Sequence, residues 1–207
     1  STPIKSSAAS DVYKRQTYCF RGVADFVMWK YLTEKSIRHR FAKSRKIRAK
    51  RFVPYREAST IVVLADMQGA QQVGEALRVI GSEGKKIVLY HFTFALQKAG
   101  LSFPGIDTVE VSLEDLCQGN TRPRSEICRR FESLKPDVLV DLTLSDYLPV
   151  AYLVASSNAP MRLGLKKDSL APADIMVQLE SEQATAEGLL RNLLFYWKNI
   201  AVKNNNS

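Results

Sequence analysis

Three short aliphatic runs constrain the fold of this chain more than any other feature: Thr60-Ile-Val-Val-Leu-Ala65, Lys85-Lys-Ile-Val-Leu-Tyr-His91 and Pro136-Asp-Val-Leu-Val-Asp-Leu142. Each is brief, rich in β-branched residues and apolar through its middle without alternation. That pattern belongs to a strand covered on both faces, the strand type of parallel sheets. Three further strands are expected at 107–111, 161–165 and 175–179. Helical patterns separate them at 70–80 (Val73, Ala76, Leu77 and Ile80 inward), 123–134, 148–157 and 181–202 (Leu189, Leu190, Leu193 and Tyr196/Trp197 inward). Thr121 is placed to cap the helix at 123–134, with Pro123 in its first turn. Strands alternating with helices of this length predict α/β architecture. The expectation is a three-layer Rossmann-like domain over residues 57–202. Its sheet is mostly parallel, five- or six-stranded, of order near 3-2-1-4-5.

A second feature is charge segregation. Residues 30–56 hold eleven Lys/Arg against a single acid, Glu34, whereas the remainder of the chain after residue 56 is mildly acidic; the overall net charge is +9. Over 23–51 the apolar and small residues Phe26, Trp29, Thr33, Ile37, Phe41, Ser44 and Ile47 recur at spacings of three and four, which predicts an amphipathic helix ending before Pro54. Residues 17–56 therefore read as a basic helix and linker. Arg38, Arg40, Lys43, Arg45, Lys46, Arg48, Lys50 and Arg51 become the candidate contacts to an anionic partner, a membrane surface or a nucleic acid. The alternative is that the stripe packs on the domain and leaves the bases in water.

The string from Ser6 to Gln16 reads as a translated adapter scar, so residues 1–16 are expected to be a non-native, disordered leader, with Met28 a natural start. Residues 203–207 read as a frayed tail. The longest apolar stretch, 147–155, is about half what a bilayer span requires. Three widely spaced cysteines and two histidines give no metal-ligand spacing. An odd cysteine count suits a reducing cytoplasm. The expected location is cytoplasmic, peripheral to the inner membrane if the basic helix meets lipid.

In a parallel sheet, ligands bind beyond the carboxyl ends of the strands. Asp66, Gln68, His91, Asp141, Thr143, Ser145 and Asp146 fall there. His91, Asp141 and Asp146 are the candidate acid–base groups; Asp66, Gln68, Thr143 and Ser145 are candidate pocket residues. Each also has a structural reading: His91 bonded to a loop carbonyl, Asp141 to loop amides, Asp146 capping the next helix. Gly69 and Gly74 are spaced for neither dinucleotide nor P-loop binding, and no cofactor is expected. His91 is the only histidine of the domain, so no Ser/His/Asp triad can be built. Cys117 and Cys128 have no base beside them in sequence.

From Met28 onward the order of features resembles a small family of bacterial proteins carrying a domain of unknown function. The likeness rests on the Lys/Arg-rich opening helix, Thr60-Ile-Val-Val-Leu, Pro136-Asp-Val-Leu-Val-Asp-Leu-Thr143, Met161-Arg-Leu-Gly-Leu165 and Leu193-Leu-Phe-Tyr-Trp197. More distantly, Asp137-Val-Leu-Val-Asp-Leu with Ala151-Tyr-Leu-Val-Ala155 and Ala159-Pro-Met-Arg-Leu-Gly164 is similar to the acceptor-side half of heptosyltransferase-type glycosyltransferases. The expected function is a non-catalytic binding or adaptor protein whose basic helix meets an anionic partner. The alternative is a small-molecule or sugar-nucleotide-related enzyme using Asp66, His91, Asp141 and Asp146.

Overall fold

The computed structural model describes residues 7–94, 100–180 and 184–200, with side chains from residue 25 onward. Six strands form one sheet: β1 (Thr60–Asp66), β2 (Lys86–Phe92), β3 (Asp107–Val111), β6 (Val138–Asp141), β7 (Met161–Leu165) and β8 (Ile175–Val177). A small antiparallel ribbon, β4 (Leu116–Cys117) with β5 (Arg122–Pro123), stands apart from them. The helices are α1 (Ser7–Ile47), α2 (Met67–Ser82), α3 (Ser125–Ser133), α4 (Leu148–Ser156) and α5 (Ala186–Asn199).

The sheet order is β3-β2-β1-β6-β7-β8 and every neighbouring pair is parallel. This is the expected order with a sixth strand added at the β8 edge. β1 lies at the centre, Val63 beside both Leu89 and Val140. Its side chains alternate between two cores: Ile61, Val63 and Ala65 face α2 and α5, while Val62 and Leu64 face α3, α4 and Ile37 of α1. Both faces are therefore covered, which is why the run carries no polar alternation. Burying each such side chain contributes roughly 1.5–3 kcal/mol.

The basic helix belongs to this packed unit. α1 lies chiefly on α4, and residues 149–155 of α4 are buried on every side. A helix with that much apolar surface needs cover on its outer face as well as its inner one. Thr33, Ile37 and Ser44 of α1 are buried, as the stripe predicts. At the end of the stripe the expectation is corrected: Arg48 is buried and Ile47 is 68% exposed. The segment expected as a linker also packs, placing Val53 and Tyr55 in the core, and the Trp197 indole donates to the Val53 carbonyl at 2.7 Å.

Other boundaries differ for local reasons. α1 extends back to Ser7, so residues 7–16, expected to be disordered, are helical; each residue added to an existing helix gains a hydrogen bond without a new nucleus. Residues 1–6 of that leader and the tail at 203–207 lie outside the described residues. α2 starts at Met67, where the Asp66 carboxylate accepts from the Gly69 amide at 2.7 Å. α3 starts at Ser125, not 123: Pro123 is in the ribbon, and Thr121 bonds the Gln118 carbonyl and Thr33 of α1 rather than capping a helix. The ribbon turns on Gln118, Gly119 and Asn120, all at positive φ. α5 starts at Ala186 behind a Thr185 cap, and β8 ends at Val177, not 179.

Candidate functional site

The bases of α1 and of the segment just after it, residues 48–51, divide into two sets. Arg40, Arg48 and Lys50 are engaged by the domain. Arg48 grips Asp174 through both terminal nitrogens and also donates to the Ala159 carbonyl at 3.0 Å, while Lys50 reaches the same carboxylate at 3.1 Å. Burial would raise the Asp174 pKa, but the Arg48 and Lys50 bonds outweigh it and hold the carboxyl below its ordinary range. Arg162, 1% exposed, lies beside them and donates to Ser44 Oγ and the Ser157 carbonyl, both at 2.6 Å. Burial first, and then the charge of Arg48, push its pKa down to about 10, so it stays charged near neutrality. Arg40 pairs with Glu132 at 3.2 Å and stacks over the Tyr152 ring, with Arg122 near the same ring. Within the structure the charges of Arg40, Arg48 and Lys50, three of the expected anionic contacts, are directed at acids and rings of the domain.

Lys35, Arg38, Lys43, Arg45, Lys46 and Arg51 remain exposed. Of these, Arg38 has one partner, Glu34, one turn away at 3.7 Å. At spacings of three and four, Lys35, Arg38, Ala42 and Arg45/Lys46 lie along the side opposite Thr33, Ile37 and Ser44. The helix thus has a docked stripe and a separate outward charged face.

The strand-end candidates do not converge. Asp66 and Gln68 line a cleft of about 200 Å³ between the ends of β1 and β6, with Gln72, Leu144 and Thr185. This is where the sheet order reverses, the position the parallel-sheet rule selects. Its polar groups are mostly committed: Asp66 caps α2, Gln72 Oε1 accepts from the Ala186 amide at 3.1 Å, and Thr185 caps α5. Asp141 and Thr143 lie apart from this cleft, around Lys167, a residue the sequence reading missed. The ammonium is 2.9 Å from Asp141, 2.7 Å from Thr143 Oγ1 and 3.2 Å from the Ser145 carbonyl. Asp141 also accepts from the Thr143 amide and hydroxyl, at 3.0 and 2.6 Å. Thr143 is buried, and Ser145 joins this cluster through its carbonyl only, so neither lines the cleft as expected. Asp146 is exposed and does not cap α4, whose cap residue is Tyr147.

His91 is fully buried between β1 and β3. Among the described residues neither ring nitrogen has a partner in strict hydrogen-bonding geometry, while the backbone of Leu101, in the loop before β3, is near enough to favour the protonated ring, as the loop-carbonyl reading expects. Burial holds the imidazole below its ordinary pKa, against the opposing pull of Glu110 and the Leu101 backbone. Cys117 and Cys128 both point at the Pro123 carbonyl, and burial pushes the Cys128 thiol up despite Arg122 and Arg40. No group of His, Cys, Asp and Glu among the described residues is arranged to hold a metal.

A parallel six-stranded sheet between helical layers, with a basic helix docked across α4, defines a Rossmann-like α/β protein. Residues 30–200 match the model of DUF6913, a family of unknown function, and the chain belongs to that family. The match begins within α1, so the docked part of the basic helix lies inside the family's span. No curated protein and no solved structure matches the chain.

Proposed function

We propose that this is a non-catalytic, cytoplasmic binding protein that meets an anionic partner through the outward face of α1. The observation that carries the reading is the split among the bases of the helix and of the segment just after it. Arg40, Arg48 and Lys50 fix it to the domain, and Lys35, Arg38, Lys43, Arg45 and Lys46 are left facing solvent. A rigidly held row of cations gains more from a polyanion than a mobile arm would, because its ordering cost is met on folding. Free Cys117 and Cys128 suit a reducing compartment. The strand-end acids argue the same way: Asp66 is spent on a cap and Asp141 on Lys167, while the His91 ring is sealed.

Deleting the helix would strip the cover from α4 and confound any binding assay. The informative variant is K35E/R38E/R45E/K46E, which alters exposed residues only. Wild-type protein should be retained on immobilised heparin and elute in a salt-dependent manner, and the variant should pass through near the void volume. Equal elution of the two proteins would remove the basis of the reading.

A further inference from the structure

We infer that the anionic partner is the surface of a lipid bilayer, into which the apolar middle stretch of α1 inserts; this rests on the binding reading above and names its partner. Ahead of the basic face, α1 carries a cluster of large apolar side chains that the domain leaves uncovered. Val27 is 59% and Tyr31 61% exposed, and Met28 and Leu32 are exposed beside them. Phe26 is half exposed and Trp29 less so; these two lie against the ribbon turn at Gly119. Met28, Tyr31, Lys35, Arg38, Ala42 and Arg45 continue one another along the outward side at spacings of three and four. The face is therefore apolar for its first turn and a half and basic thereafter. At about 1.5 Å per residue it runs roughly 27 Å from Val27 to Arg45.

Two kinds of polyanion would satisfy the bases, but only one takes up the whole apolar stretch. Nucleic-acid phosphates are bound by Lys, Arg and small polar groups, and an exposed valine, methionine and leucine add nothing to them. A membrane surface takes both: apolar side chains sink about 5–10 Å into the headgroup boundary, and bases farther along lie against anionic headgroups. No helix among the described residues is long and apolar enough to cross a membrane, and the geometry points to a helix lying along one leaflet with its apolar stretch dipped into it. Acids along this stretch are few: Asp25 at its start, and Glu34, already paired with Arg38.

The test uses the full chain in co-sedimentation with vesicles of phosphatidylglycerol and phosphatidylcholine, with pure phosphatidylcholine vesicles, heparin and RNA as separate arms. V27S/M28S/Y31S/L32S should weaken binding to the anionic vesicles on the order of tenfold or more, since burying one leucine-sized side chain is worth that much. It should leave heparin retention unchanged. K35E/R38E/R45E/K46E should lose both. Pure phosphatidylcholine should bind wild type far more weakly than the anionic mixture. Thermal unfolding of each variant should match wild type, since none of these residues is in the core. Full vesicle binding by the serine variant would overturn insertion. Wild-type binding to heparin or RNA without vesicles would overturn the lipid assignment and leave the binding reading standing. Failure on every surface would end both.

Discussion

Arg48 holds Asp174 in a two-pronged ion pair, Nη1 to Oδ2 at 2.5 Å and Nη2 to Oδ1 at 2.6 Å, and so ties the end of α1 to the residue that precedes β8. The same carboxylate accepts from the Arg162 amide at 3.0 Å. One acid thus serves Arg48, Lys50 and the β7 backbone, with the buried Arg162 guanidinium close by. D174N should destabilise the protein by about 3–5 kcal/mol, because it leaves two arginines buried without their counter-charge. K50M, which removes only the exposed partner, should cost no more than about 1 kcal/mol. Urea denaturation of the two variants checks the contrast; similar losses would show that the network is not anchored by the buried pair.

Two groups give the stability separate pH windows. The His91 pKa is depressed by burial, so the unfolded chain binds a proton that the folded one refuses. Its contribution is fully present above the unfolded value of about 6.5 and is lost as pH falls toward the folded value. Asp174 is also depressed, and its contribution is present above the unfolded carboxylate value of about 3.9 and is lost only below it. Stability should therefore drop in two steps on acidification. H91F should flatten the first step and leave the second. Denaturation midpoints measured at unit intervals from pH 8 to 3 would show this, and an unchanged first step in H91F would refute the assignment.

What the sequence made legible follows from locality. The aliphatic runs of β1, β2 and β6 are strands because nothing distant decides a continuous apolar stretch flanked by turns. The stripe Thr33, Ile37, Phe41, Ser44 was equally readable. It failed at its last position, where Arg48 turns inward and Ile47 outward, because the deciding partner, Asp174, is far away in sequence. Lys167 was hidden for the same reason: a lysine in a loop carries no sign of the Asp141 and Thr143 it will meet. The β4–β5 ribbon was missed because two-residue strands have no periodicity. The topological rule found the mouth of the sheet but could not tell a ligand-binding aspartate from a capping one.

Lys167 illustrates how a strand-end acid can serve structure. Its ammonium bonds Asp141, the Thr143 hydroxyl and the carbonyls of Thr143 and Ser145. K167M should leave a mostly buried carboxylate and a loop carbonyl without their donor, at a cost of about 1–3 kcal/mol. D141N keeps an acceptor for the Thr143 amide and should cost less. A thermal shift series on the two variants is the check; a larger loss for D141N would place the role on the carboxylate charge rather than on the lysine's bonds.

Gly74 tests packing on the opposite face of the sheet. It lies inside α2, where Ala is preferred over Gly by about 1 kcal/mol, so propensity alone predicts that G74A stabilises. The Phe103 ring occupies the space a β-carbon would take: a Cβ built there would come 2.0 Å from Cε1 and 2.5 Å from Cδ1 and Cζ. The ring must therefore leave its seat, and with it the loop that leads into β3, so G74A should instead destabilise by roughly 1–3 kcal/mol. The sign reverses once the obstacle is gone. In an F103A background, itself less stable, adding G74A should raise stability, because the propensity gain returns without the clash. A double-mutant cycle in urea measures both arms. If G74A stabilises the wild-type protein, Phe103 is not packed against α2 in solution.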